Sequence, residues 1–199
     1  MNYQDNHIYG TNGQCAIFGS NTFLMRKLHL VFIFLFLCLS IQGQLTIQSV
    51  LEQYNNGSVD YIMVEALGQK DNFVVLDTRE REEFEVSHLE AALWVGYDTF
   101  ELKEVLQLVP DKDTQVVVYC SVGVRSEDIG QKLQDAGYAN VQNLYGGIFE
   151  WKNQGHPVYD ETGLSTEKVH GYSKYWGSIL TNGTKVYSSK TESGVERKQ

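Results

Sequence analysis

The chain has 199 residues, enough for one ordinary domain and too few for two. With 42% hydrophobic and 21% charged residues, wholesale disorder is excluded, and with only 2 Pro so is proline-rich architecture. A net charge of -9 argues against nucleic-acid binding, which needs clustered Lys and Arg on the phosphates, and 3 Cys exclude a dense disulfide scaffold.

The first segment concerns address. Residues 28–41 are an apolar run that ends in small and polar residues, and Met25, Arg26 and Lys27 stand immediately before it. That is the layout of a secretory signal peptide over residues 25–43, with cleavage after Gly43. The run is short for a membrane span, which needs about 20 apolar residues. Residues 1–24 carry no Lys or Arg and are rich in Asn and Gly, so they read as a mis-called segment upstream of a natural start at Met25. Export to a periplasm or the outside follows. Cys15 and Cys38 then leave with the processed segment, and Cys120 is the one cysteine retained. A lone cysteine in an exported protein is a candidate reactive thiol, although a buried Cys is more often a small hydrophobe.

From residue 45 onward the pattern alternates helix and strand. Tyr61–Leu67 reads as a helix and Phe73–Asp77 as a buried strand, with Ala92–Val95 a shorter candidate. Asp98-Thr99-Phe100-Glu101 has the form of a capping box ahead of a helix that Pro110 ends. Gln115–Cys120 is the clearest strand. Ser126–Ala136 follows as a helix with Ile129 and Leu133 on one face and Gly137 at its end. Val141–Leu144 is a further strand, then Gly146-Gly147 opens a short helix through Trp151. Strands separated by helices in this rhythm indicate an open α/β domain: a parallel sheet of about five strands, helices on both faces, over residues 45–159. In the tail, 160–199, the spacing of Val169, Tyr172, Trp176 and Ile179 predicts a helix over 167–180, followed by a loose polar end. Asn56-Gly57-Ser58 and Asn182-Gly183-Thr184 match the glycosylation pattern, which matters only in a eukaryotic secretory pathway.

Parallel sheets carry their sites at the carboxyl ends of the strands, and Cys120 ends the strongest one. The stretch Cys120-Ser121-Val122-Gly123-Val124-Arg125-Ser126 joins that strand to a helix. A loop in this place turns backbone N–H groups into a concave nest, and the helix N-terminus adds partial positive charge. Gly123 permits unusual backbone angles, and Arg125 has a fork of donors suited to an oxyanion. Together these favour a thiolate over a thiol, opposed in part by Glu127 and Asp128. The candidate site is therefore Cys120 as nucleophile, with Ser121, Val122, Gly123, Val124, Arg125 and Ser126 as the binding loop.

Three stretches in order resemble the rhodanese family of sulfurtransferases. They are Leu76-Asp77-Thr78-Arg79-Glu80 with Glu83-Phe84 and His88, then Val117–Ser126, then Leu144-Tyr145-Gly146-Gly147-Ile148 through Trp151 with Gly155-His156-Pro157-Val158. The likeness covers about residues 58–159. Ser87-His88-Leu89-Glu90-Ala91-Ala92 lacks both glycines of the family's Gly-His-Ile-x-Gly-Ala, a departure read as structural. Asp77 and Arg79 read as a buried charge pair, His88 as a structural histidine, and Trp94 and Trp151 as core.

The resemblance implies a rhodanese-like fold and sulfur transfer. The Cys120 thiolate takes the outer sulfur of a donor such as thiosulfate as a persulfide, Arg125 holds the donor's oxyanion end, and a nucleophilic acceptor removes the sulfur. No metal or organic cofactor is required. The partners implied are a small sulfur-containing anion or thiol and a protein sulfur acceptor, with the chain as a monomer. Two alternatives stand beside this. A cysteine phosphatase or arsenate reductase would place Arg six positions after the Cys, whereas Arg125 is five after and Ser126 occupies the sixth. A non-catalytic partner-binding module often lacks the Cys, which is kept here.

Overall fold

In the computed structural model, residues 25–29, 31–32, 45–69 and 72–187 are described. The chain divides into two units, Met1–Gln44 and Leu45–Gln199. In the first, residues 25–29 and 31–32 are helical. The upstream segment and the expected cleavage after Gly43 lie outside the described residues. Among the described residues no helix is long and apolar enough to cross a membrane.

In the second unit, the Val-rich stretch Gln115–Tyr119 forms the central strand of a five-stranded sheet. The strands are β1 Tyr61–Ile62, β2 Phe73–Asp77, β3 Leu93–Trp94, β4 Gln115–Tyr119 and β5 Asn140–Leu144. Their order is β1-β5-β4-β2-β3 and every pairing is parallel. Side chains alternate between the two faces of a strand, and the core divides accordingly. Val116 and Val118 join Leu76, Ile129 and Leu133 in one buried cluster. Val117 and Tyr119 join Leu51, Leu144, Ile148 and Phe149 in the other. The first cluster packs under α4 (Leu102–Leu108) and α5 (Val124–Asp135). The second packs under α1 (Ile47–Tyr54), α2 (Val64–Leu67) and α6 (Gly147–Asn153). Helices thus cover both faces, as the spacing of the elements predicts, and each large apolar side chain fully buried there contributes about 1.5–3 kcal/mol.

Three local expectations are corrected. Tyr61-Ile62 is a strand paired with Asn143-Leu144 rather than part of a helix. The extended backbone of Met63 separates it from the single helical turn of α2. No capping box forms at Asp98, because Tyr97–Phe100 closes a turn first, Phe100 N donating to the Tyr97 carbonyl. The helix then starts at Leu102 without a side-chain cap. Capping boxes sit instead on α1, at Thr46, and on α3 (Arg81–Val86), where the Glu80 N–H donates to Glu83 Oε2 at 2.9 Å.

The third correction concerns the tail. No helix spans 167–180. After a hairpin of β6 (Val158-Tyr159) and β7 (Ser165-Thr166), Lys168–His170 is strand β8, paired in parallel with β9, Thr184–Val186. Between them lies one 3-10 turn, Trp176–Ser178. The helical spacing fails because Tyr172 takes φ 60 and Gly171 N donates to the Val186 carbonyl, which continues the strand pairing. Residues 184–186 are therefore ordered in a strand, not loose. The segment is fastened to α6: Lys152 pairs with Glu167 at 2.8 Å, and Asn153 bonds Ile179, Thr181 and Asn182. Val169 and Leu180 are fully buried.

Candidate functional site

Cys120 sits where β4 ends, and α5 begins four residues later. The loop between them is shaped by what its carbonyls bind. The Cys120 carbonyl accepts from Ile148 N at 2.9 Å and the Ser121 carbonyl from Phe149 N at 3.1 Å, both at the start of α6. The Gly123 carbonyl accepts from Asn143 Nδ2 at 2.8 Å and Asn55 Nδ2 at 3.0 Å. Each peptide plane holds its C=O and the next N–H in opposite directions. With three carbonyls tied outward, the N–H groups of Ser121, Val122 and Val124 face the other way, and the Gly123 N–H donates to Cys120 Sγ at 3.1 Å. Negative charge on that sulfur thus meets backbone dipoles and the N-terminus of a 12-residue helix.

Two glycines make the arrangement possible. Gly123 has φ 107, in the region open chiefly to glycine. Gly147 has φ 53, and a Cβ there would overlap the Cys120 carbonyl oxygen. Ser126, expected among the binding residues, is directed elsewhere. Its hydroxyl donates to Asn143 Oδ1 at 2.7 Å, which orients the amide that holds Gly123. Its role in the structure is to anchor the loop.

Cys120, Ser121, Val122, Val124 and Arg125 line one cavity together with Tyr172 and Trp176. Arg125 differs from the expectation of a fork open to a donor. Its Nη1 and Nη2 bind Glu83 Oε2 and Oε1 at 2.8 and 2.9 Å, and Nη2 also reaches Ser121 Oγ at 3.1 Å. Ser121 Oγ in turn donates to Glu83 Oε1 at 3.0 Å. Burial alone would raise the Glu83 carboxyl, but the adjacent Arg125 charge and its hydrogen bonds, with Arg79 beyond, outweigh this and hold it at about 2. The pair is thus two full charges that cancel. Arg125 also lies over the Tyr172 ring, 5.0 Å from its centroid.

Behind the loop, Asp77 and Arg79 form the expected buried pair, 2.6 Å apart, and Arg79 Nη2 donates to the Ser87 carbonyl. Tyr119 OH donates to Asp77 and accepts from Leu89 N, so the strand before the cysteine is bolted to its neighbour. His88 stacks on Phe84 at 4.0 Å and its backbone bridges Tyr159, which makes it structural. Trp151 and Trp94 are half-buried, each donating its indole N–H to a carbonyl, Pro157 and Arg79 respectively.

Sequence reasoning missed Glu83, Asn143 and Asn55, and the two aromatics of the tail. Glu83 is visible only within the Glu83-Phe84 pair of the family likeness; among Arg81, Glu82 and Glu85, in a stretch that looks like a solvated helix face, nothing announces its partnership with Arg125. Asn143 carries a signal: a polar residue between Val141 and Leu144 in a strand buried on both faces requires a partner. Tyr172 and Trp176 were visible as aromatics, and only their placement was hidden.

A family model described as rhodanese-like domain matches residues 63–154. A tRNA uridine(34) hydroxylase of Erwinia tasmaniensis is 36% identical over 102 residues, 48% of this chain and 29% of that protein. The adenylyltransferase and sulfurtransferase UBA4 of Candida albicans is 31% identical over 116 residues, 56% of this chain and 26% of that protein. The match therefore spans under a third of either curated relative. A crystal structure of a rhodanese-related protein from Thermoplasma volcanium superposes with a TM-score of 0.46 and 27% identity, covering 51% of this chain and 99% of that one. The matched residues carry the cysteine loop, four of the five sheet strands and both carbonyl-anchoring elements β5 and α6, and they form a rhodanese-like domain.

Proposed function

We propose that the chain is a sulfurtransferase that carries sulfane sulfur on Cys120. The observation that carries this reading is the Gly123 N–H at 3.1 Å from Cys120 Sγ, inside a loop whose carbonyls are tied away from the sulfur. The thiolate attacks the outer sulfur of a donor such as thiosulfate. A new S–S bond forms, the donor's S–S bond breaks, and sulfite leaves with the electron pair. An acceptor nucleophile such as cyanide then takes the terminal sulfur, giving thiocyanate and restoring the thiolate. The loop's N–H groups stabilise the charge on the outer sulfur throughout. The likeness to part of a protein named as a sulfurtransferase supports the reading. It requires no metal or organic cofactor, and it includes export of a monomer that hands sulfur to a small thiol or a protein acceptor.

The phosphatase reading is disfavoured because it needs the Arg125 fork free for a phosphoryl group, and Glu83 occupies that fork, whereas sulfur capture on Cys120 draws on the loop N–H groups. The test is mass spectrometry of the Cys120 peptide after thiosulfate treatment. A product one sulfur atom heavier, discharged by cyanide with release of thiocyanate and absent in Cys120→Ser, is expected. Hydrolysis of an aryl phosphate without sulfur loading would give the phosphatase reading instead. Neither activity would leave the partner-binding module.

A further inference from the structure

The family match ends at residue 154, yet the cavity over Cys120 is completed by Tyr172 and Trp176. Both belong to the strap between β8 and β9, and several features hold that strap over the loop. The Tyr172 backbone has φ 60, a conformation uncommon for an aromatic residue and of the kind found where a side chain is aimed for use. Its N–H donates to His170 Nδ1 at 3.2 Å, and His170 is itself buried. Tyr187 fills the space beside Gly177, where a Cβ would fall 2.6 Å from its hydroxyl, so the turn carrying Trp176 is backed by a second ring.

The chemistry of this wall differs from that of an anion site. The Arg125 charge is neutralised by Glu83, its terminal nitrogens are engaged, and its face lies under the Tyr172 ring. Val122 and Val124 supply the remaining apolar lining. Trp176 meets Tyr54 at 5.7 Å and Tyr175 at 5.5 Å, and both of those rings are exposed beside it.

Building on the sulfurtransferase reading, we infer that the strap makes the site selective for organic sulfane-sulfur donors with a flat apolar group next to the reactive sulfur. Tyr172 and Trp176 are the specificity-determining residues. The group packs between the two rings while the outer sulfur reaches Cys120. The matched probes are benzenethiosulfonate and methanethiosulfonate. They share one anionic head and differ only in the apolar group. In either case the thiolate forms a bond to the outer sulfur, the S–S bond to the sulfonyl breaks, and the sulfinate leaves with the electron pair.

The test compares kcat/KM for the two probes, with cyanide as acceptor and each rate divided by the rate of the same donor with a free low-molecular-weight thiol. Aromatic packing predicts a corrected preference for the benzene donor of about tenfold. In Trp176→Ala the ratio should fall towards one. Should that variant fail to fold, Trp176→Leu keeps an apolar contact without the ring and should lower the ratio in the same direction. Equal corrected rates for the two donors in the unaltered chain, or a preference that persists in the folded Trp176 variant, would overturn the inference and leave the sulfurtransferase reading standing. Loading of Cys120 from neither donor, nor from thiosulfate, would overturn both.

Discussion

Replacing Glu83 by alanine perturbs the site while leaving every residue of the loop itself unchanged. Glu83 is 1% exposed and accepts four hydrogen bonds, from Arg125 Nη1 and Nη2, Ser121 Oγ and Glu80 N. Alanine removes all four and leaves the Arg125 charge buried without its counter-ion. Breaking a buried pair by removing one partner costs about 3–5 kcal/mol. Against a domain stability of about 5–15 kcal/mol, that is roughly a fifth or more of the total. Urea unfolding followed by circular dichroism reads the loss directly. The pH dependence supplies an independent check. The folded Glu83 carboxyl lies at about 2, below its ordinary 4.5, so its contribution is complete above the ordinary value and fades as pH falls towards the folded one. The stability gap between the unaltered chain and Glu83→Gln should accordingly be widest near neutrality and shrink on acidification through that window. A double change, Glu83→Leu with Arg125→Met, removes both charges together and should cost far less than Glu83→Ala. A loss under about 1 kcal/mol for Glu83→Ala at neutral pH, or a Gln gap that grows on acidification, would refute the ion-pair argument.

Asn143→Ala removes the bonds to the Gly123 carbonyl and the Ser126 hydroxyl, at 2.8 and 2.7 Å. It should cost about 1–3 kcal/mol and slow sulfur loading of Cys120 in single-turnover labelling. Loading at the unaltered rate despite the stability loss would show that this anchor does not position the loop. Gly147→Ala forces a Cβ against the Cys120 carbonyl oxygen at φ 53. A marked fall in melting temperature and poor sulfur loading are expected, and a variant as stable as the parent would show that the loop and α6 are not packed as described.

The legible parts of the molecule were those specified by local pattern. Gln115–Tyr119 holds three consecutive valines followed by a tyrosine, so it reads as a central strand, and Gly137 ends α5 in the left-handed conformation its position suggests. The cysteine loop was legible because strand, glycine and helix succeed one another within ten residues. What stayed hidden depends on contacts far apart in the chain. Glu83 reaches Arg125 across 42 positions and Asn55 reaches Gly123 across 68, and no local pattern announces either. The tail misled for a physical reason. Residues 169, 172, 176 and 179 are spaced for one helical face, yet they turn inward individually from a strand, a left-handed residue and a 3-10 turn.

These long-range contacts decide what kind of charge stabilisation the site offers. A loop with a free arginine would attract anions through net charge, and an acidic protein at -9 would need that local excess. Here the arginine's charge is cancelled at 2.8 Å by a carboxylate held ionised beside it. What remains at the Cys120 sulfur is a set of backbone N–H groups, oriented because α6, Asn143 and Asn55 hold the opposing carbonyls. Dipoles of this sort act over a few ångströms and favour charge on the atom placed among them, while doing little to draw an ion from solution. The arrangement therefore separates two tasks. On the proposed sulfurtransferase reading, the cradle stabilises the persulfide once it forms, and recognition of the rest of the donor falls to what lines the mouth, which in this chain includes the aromatic strap.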